Sequence, residues 1–237
     1  QGDLTTLRPN EAVDLLVVSA FPNDYTPTNT SLIGALYKKG LSVAELAQSK
    51  EKDLRSDFSC WLSHEISPPN PGLRFIRILC FEPMIRGEPP EIVGDIFRAM
   101  TPILGEKPDI FSVAMPIVAA GDQGYSISTM LAPLLEAAIQ WMEKGLPLDC
   151  IKIVAHSEEQ GREAIEVFSQ RKTLYQQSES LNQFQIEYDV FISYARENNR
   201  EMELFEKELI RLHPNIRIFL DRKEIDVGSP WQPQIFE

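Results

Sequence analysis

The run Asp14-Leu15-Leu16-Val17-Val18-Ser19-Ala20 sets the fold class. Four consecutive apolar residues with no polar alternation read as a buried strand. Outward from it the chain alternates helix and strand signals. Ser31 caps a helix carrying Leu32, Ile33, Leu36 and Tyr37, and Gly40 stops it. Ser42 and Glu45 have capping-box spacing for a second short helix. Residues 54–67 are ambiguous: Phe58, Trp61 and Leu62 have helical spacing, and the prolines at 68, 69 and 71 end the segment. Residues 75–81 read as a strand, 91–104 as a helix and 110–118 as a further strand. Residues 128–144 form a long amphipathic helix closed by Gly145, and 150–155 a strand. Ser157 and Gln160 then frame a second capping box, opening a helix that reaches about residue 169. Strands and helices in alternation mean a layered α/β domain.

From 171 to 185 the composition shifts to Gln, Ser and Lys, which reads as a partly helical linker. A second strand–helix–strand unit follows. Tyr188-Asp189-Val190-Phe191-Ile192-Ser193-Tyr194-Ala195-Arg196 reads as a strand buried on both faces, of the kind found in parallel sheets. Ser193, Ala195 and Arg196 fall at its carboxyl end, where open α/β sheets place ligands. A helix over 198–213 carries Met202, Phe205, Leu209 and Leu212 on one face, and 216–220 is a second strand. The expected organisation is a first domain over 1–172, a linker over 173–185 and a second domain over 186–237.

The 237 residues carry a net charge of -12, with 43% hydrophobic and 24% charged residues. Nucleic-acid affinity rests on Lys and Arg contacts to phosphate, so this balance argues against a nucleic-acid partner. A nucleotide is compatible with it, because backbone N–H groups and helix N-termini hold phosphates without side-chain cations. Cys60, Cys80 and Cys150 are scattered beside apolar stretches and read as free thiols of a reducing, cytoplasmic compartment. No Cys/His spacing suggests a metal site. No apolar run approaches the ~20 residues of a membrane span. The chain starts at Gln1 and stops at Glu237 just after a helix start, so a piece of a longer protein is expected.

Two stretches carry chemistry in the first domain. Gly2-Asp3-Leu4-Thr5 stands ahead of the first buried strand. Val118-Ala119-Ala120-Gly121-Asp122-Gln123-Gly124-Tyr125-Ser126 links a buried strand to the long helix. Glycines flanking polar residues let backbone approach a ligand, and the helix N-terminus behind them favours a phosphate or diphosphate. The same glycines also suit an ordinary strand–helix turn.

On these residues the first domain resembles a macro domain, the three-layer α/β/α fold that binds ADP-ribose. Gly2 to Thr5 stand where that family has its Gly-Asp-Ile-Thr signature, so the resemblance gives Asp3 the adenine amino group and puts Leu4 beside it. Met115-Pro116 followed by Gly121, Gly124 and Tyr125 resembles the loop around the diphosphate and distal ribose. Ala120, Asp122 and Gln123 are carried with that loop, the last two as unusual occupants. The first strand departs from the family's Asn-Ala-Ala-Asn and triple glycine: it ends Val18-Ser19-Ala20-Phe21 and continues Pro22-Asn23-Asp24. Hydrolase chemistry through that Asn is therefore not expected. Ser19, Ala20 and Asn23 are expected in the pocket, with Asp24, Thr28 or Asn29 as substitute polar contacts.

The second domain resembles the opening of a TIR domain, a flavodoxin-like fold with parallel strands. That resemblance implies a nucleotide or assembly surface at Ser193, Arg196, Arg222, Lys223 and Gly228. The catalytic Glu of NAD-cleaving members would fall beyond Glu237, so no NAD cleavage is expected from these residues alone. Together the two resemblances imply an immune-type signalling protein. An ADP-ribose-derived or NAD-derived ligand would be bound without a covalent cofactor, and the output would be TIR self-association as a homo-oligomer, or NAD cleavage. The alternatives are an ADP-ribosyl hydrolase with Asp24 or Asp122 activating water, and a TIR adaptor on a structural N-terminal domain.

Overall fold

The computed structural model describes residues 1–67, 70, 72–185, 189–192 and 199–220. The chain divides into two compact units, Gln1–Arg171 and Lys172–Glu237.

In the first unit the apolar runs become the centre of one mixed sheet. β1 (Leu15–Ser19), β4 (Arg77–Phe81), β5 (Ser112–Pro116) and β6 (Cys150–Val154) lie parallel. β2 (Lys50–Leu54) and β3 (Cys60–Ser63) add an antiparallel edge, giving the order β2-β3-β4-β1-β5-β6. Registers run Leu15↔Arg77 to Ser19↔Phe81 between β1 and β4, and Ser112↔Cys150 to Pro116↔Val154 between β5 and β6. Asp14 locks the start of this arrangement. Its Oδ2 accepts the backbone N–H groups of Phe111 (3.0 Å) and Ser112 (2.9 Å) and the Ser112 hydroxyl (2.7 Å).

Successive strand residues face opposite sides, so each run feeds two cores. Leu15, Val17, Leu79, Phe81, Val113 and Met115 pack under α5 (Asp95–Glu106) and α6 (Ile127–Glu143). Leu16, Val18, Ile78, Cys80 and Ala114 pack under α1 (Leu32–Lys38) and α2 (Val43–Leu46), joined by Leu4 and Trp61. The result is a helix–sheet–helix sandwich, as the alternation of strand and helix requires. The caps fall where the sequence places them: Ser31 Oγ accepts from Gly34 N (3.0 Å) and Ser42 Oγ from Glu45 N (3.2 Å). Cys60 and Cys80 are fully buried free thiols, whose pKa values burial raises, while Cys150 is half-buried.

Three expectations are corrected. The ambiguous segment 54–67 is not a helix: a single turn, α3 (Arg55–Phe58), ends at Ser59, which adopts φ 53°, and the chain then enters β3. Trp61 and Leu62 share apparent helical spacing with Phe58, yet both are fully buried in a strand. The helix expected over 91–104 is two pieces, α4 (Pro89–Ile92) and α5, parted at Gly94. The helix from Ser157 does not stop near 169. α7 (Glu158–Gln185) continues through the segment read as a linker, whose Gln, Glu, Lys and Leu are good helix formers with no Gly or Pro among them.

The second unit contains β7 (Val190–Ile192), α8 (Asn199–Leu212) and β8 (Ile218–Leu220). The strands pair parallel in the register Val190↔Ile218 to Ile192↔Leu220. Val190 and Ile192 are half-buried rather than enclosed on both faces, in a sheet of two strands among the described residues. Asp189 accepts the backbone N–H (2.9 Å) and guanidinium of Arg217, which hold its carboxyl down to about 2.

Candidate functional site

A cavity of about 530 Å³ opens at the carboxyl ends of β1, β5 and β6, the location that parallel α/β sheets give to ligands. Three segments wall it. The first loop, residues 20–31, leads from β1 to α1. The second, residues 117–126, leads from β5 to α6. The third wall joins Gly2, Asp3 and Leu4 to His156, Ser157 and Gln160 at the end of β6. Gly2 N–H donates to Ala155 O at 3.0 Å, which sets the N-terminal segment across that strand end.

Asp3 is pre-oriented by its neighbour: its Oδ1 accepts the Thr5 N–H (2.7 Å) and the Thr5 hydroxyl (2.8 Å). Its Oδ2 accepts nothing among the described residues. Ser19 Oγ accepts the Ala119 N–H at 3.3 Å, joining the ends of β1 and the second loop. Ala119 holds φ 60°, a conformation rare for a residue with a Cβ, and Gly124 holds φ 79°. Around Gly121 a Cβ would meet nothing within 4 Å, so its backbone faces open space.

The two loops are tied across the cavity. Asp122 accepts the Thr28 hydroxyl on one carboxylate oxygen (2.5 Å) and the Thr30 hydroxyl on the other (2.6 Å). Gln123 Nε2 donates to Ala20 O at 2.9 Å, leaving its Oε1 buried without a partner. Asp24 closes a small turn, its Oδ1 accepting Thr26 N–H (3.0 Å) and Thr26 Oγ1 (2.7 Å). Those bonds hold its carboxyl below the ordinary range. Asp3, Asp24 and Asp122 are the acidic side chains of the lining, and no Lys or Arg joins them among the described residues.

Of the residues singled out in the sequence, Asp3, Leu4, Ser19, Ala20, Ala120, Gly121, Asp122 and Gln123 line one cavity. Asn23, Gly124 and Tyr125 stand outside the lining. Asn23 (φ 57°) turns its N–H to Glu82 (3.0 Å), and its Oδ1 accepts from Arg55 (2.5 Å). Gly124 forms the turn behind Gly121, its N–H on Gly121 O at 2.9 Å. Tyr125 donates its hydroxyl to Glu88, which raises the phenol's pKa. Ser193, Arg196, Arg222, Lys223 and Gly228 lie outside the described residues.

Sequence reasoning passed over His156, Ser157 and Gln160 as site residues. The signal was available, because they follow a parallel strand just as residues 20 and 117 do. It also missed Glu82, fully buried at the end of β4 behind the first loop. That carboxylate accepts from Asn23 N–H, Trp61 Nε1 (2.5 Å), Arg55 Nη1 (3.3 Å) and the Tyr25 hydroxyl. Burial and this contact raise the pKa of Tyr25. Among the described residues no group of three or more His, Cys, Asp or Glu is placed to hold a metal ion, and no helix is long and apolar enough to cross a membrane.

No protein-family model matches the chain, and no curated protein does either. Solved structures do. The Oceanobacillus iheyensis macrodomain with ADP aligns at TM-score 0.55 and 18% identity, over 74% of this chain and 90% of that one. A mutant of the same macrodomain with ADPR gives 0.55 and 17%, over 73% and 91%. The Trypanosoma brucei macrodomain in complex with ADP-ribose gives 0.51 and 17%, over 69% and 65%. At these identities the likeness is one of fold: the six-stranded α/β/α architecture is that of macrodomains.

Proposed function

We propose that the cleft of the first unit binds an ADP-ribose-type nucleotide, and that the second unit, as part of a TIR domain, gives the output in an immune-type signalling protein. The observation that carries the first half is the convergence of Asp3 and the Ala120 to Gln123 backbone on one cavity. Macrodomains of the same fold hold ADP and ADP-ribose. Asp3, anchored on one oxygen by Thr5, keeps the other to accept from an exocyclic amine such as that of adenine. With no side-chain cation in the described lining, a diphosphate is met by backbone N–H groups of the second loop and by the first turn of α6. Residues 1–172 form the sensor in this reading, and Ser193, Arg196, Arg222, Lys223 and Gly228 contribute to the nucleotide or assembly surface of the other domain.

Calorimetric titration of the full chain with ADP-ribose and ADP tests the sensor. Binding is expected, and Asp3→Ala should weaken it by about tenfold or more, as loss of a charge-assisted hydrogen bond does. Absence of binding to either nucleotide would overturn the reading in favour of a structural domain carrying a TIR adaptor. Turnover of the bound ligand would favour the hydrolase alternative, with Asp24 or Asp122 activating water. Light scattering with and without ADP-ribose tests the output, and ligand-dependent self-association is expected.

A further inference from the structure

We infer that the cleft selects a nucleotide whose far end carries free hydroxyls and rejects one ending in a phosphate, with Asp24 as the specificity-determining carboxylate. This rests on the nucleotide reading above and adds to it the chemistry of the ligand's far end.

The argument starts from sheet order. The cavity crosses the carboxyl ends of β6, β5 and β1. Asp3 lies at the β6 end, held there by the Gly2 to Ala155 bond. Asp24 lies beyond β1 toward β4, since Asn23 beside it is bound to Glu82 at the end of β4. A ligand whose base is held by Asp3 therefore directs its opposite end toward Asp24 and the first loop. That loop supplies hydroxyls at Thr26, Thr28 and Thr30, together with the carboxylate of Asp24.

The hydroxyl donors of those threonines are already committed. Thr28 and Thr30 spend their hydroxyl protons on Asp122, and Thr26 donates both N–H and O–H to Asp24 Oδ1. What faces an arriving group is the acceptor capacity of Asp24 Oδ2, which accepts nothing among the described residues, and beside it only the uncharged amide of Asn29 as a side-chain donor. A vicinal diol has O–H donors to give such an oxygen. A phosphate monoester is itself an acceptor, and adds negative charge beside a carboxylate that its Thr26 hydrogen bonds keep ionised. No described Lys or Arg in the lining offsets that charge. The added repulsion acts on the terminal phosphate alone, so the cleft distinguishes two ligands alike in everything but that group.

The test is calorimetry of the full chain with ADP-ribose and with ADP-ribose phosphorylated on its distal ribose, at low and high salt. ADP-ribose should bind at least about tenfold tighter, with the gap shrinking as salt rises. Asp24→Asn should reduce the gap to about threefold or less, while Asp24→Glu keeps most of it. Thermal midpoints of both variants check that they fold. Equal or tighter binding of the phosphorylated ligand would overturn the inference while leaving the nucleotide reading in place. A gap unchanged in folded Asp24→Asn would overturn the role of Asp24. Binding of neither ligand would bring down the nucleotide reading itself, and this inference with it.

Discussion

The two loops that flank the cleft are built on different principles. The first, residues 20–31, is fastened from behind. Glu82 takes donors from Asn23 and Tyr25 in the loop, from Arg55 in α3 and from Trp61 in β3, and Tyr25 stands edge-on to Trp61 at 5.8 Å and 87°. Thr28 sits so close to α1 that a Cβ at Gly34 would lie 1.7 Å from its carbonyl oxygen. The second loop, residues 117–126, has mainly its own turn bonds, such as Gly124 N–H to Gly121 O and Tyr125 N–H to Ala119 O. For side-chain anchorage over the cleft it leans on the first loop, through Asp122 and Gln123. One loop is therefore a fixed jaw. The other is ordered by contact with it.

The sharpest way to break this comparison is Glu82→Ala. The change strands the Trp61, Tyr25 and Arg55 donors around a fully buried site, and a loss of about 3–5 kcal/mol in denaturant unfolding is expected. A loss under about 1 kcal/mol would mean the first loop is not fastened in this way. Next in size is Gly34→Ala, where the Thr28 carbonyl has to move. A loss of about 1–3 kcal/mol is expected, and ADP-ribose affinity should fall with it, because Thr28 carries half of the tie to Asp122.

Asp122→Ala removes the threonine ties between the two jaws without touching Glu82, leaving only the Gln123 to Ala20 bond. The pair is exposed, so stability should change by less than about 1 kcal/mol. Hydrogen exchange should instead quicken at residues 119–124 and stay constant at 23–26. Faster exchange in both loops would show that the dependence runs both ways.

The smallest effect concerns pH. Thr26 hydrogen bonds depress the carboxyl of Asp24, so the stability they contribute is present above its unfolded pKa, about 4, and is lost as pH falls through the lower folded value. The Asp24 turn should therefore stay constant in NMR shifts between about pH 5 and 8, and titrate only below.

Much of this was legible in the chain because the signals are local. Ser31, Ser42 and Ser157 cap helices where they stand, the last paired with Gln160 (3.1 Å and 3.3 Å). The apolar runs at 15–18 and 113–115 are strands. β2 was not legible, since Lys50-Glu51-Lys52-Asp53-Leu54 has no buried face and is a strand only through its pairing with β3. The site divides similarly. Asp3 and the Gly121 segment could be placed by motif, whereas Asn23 and Tyr125 face away because their partners, Glu82 and Glu88, belong to distant elements. A carboxylate whose donors come from four separate positions leaves no trace in its own neighbourhood.

The three cysteines give the molecule a reporter of its own. Cys60 and Cys80 are sealed in the two cores, on opposite faces of the sheet, while Cys150 opens the edge strand whose far end delivers Ala155 and His156 to the cleft. A thiol-directed dye on the native protein should modify Cys150 alone, putting a single fluorophore on the strand that ends at the site. The second and third equivalents then react only as the sheet itself comes apart, so one reagent times both events.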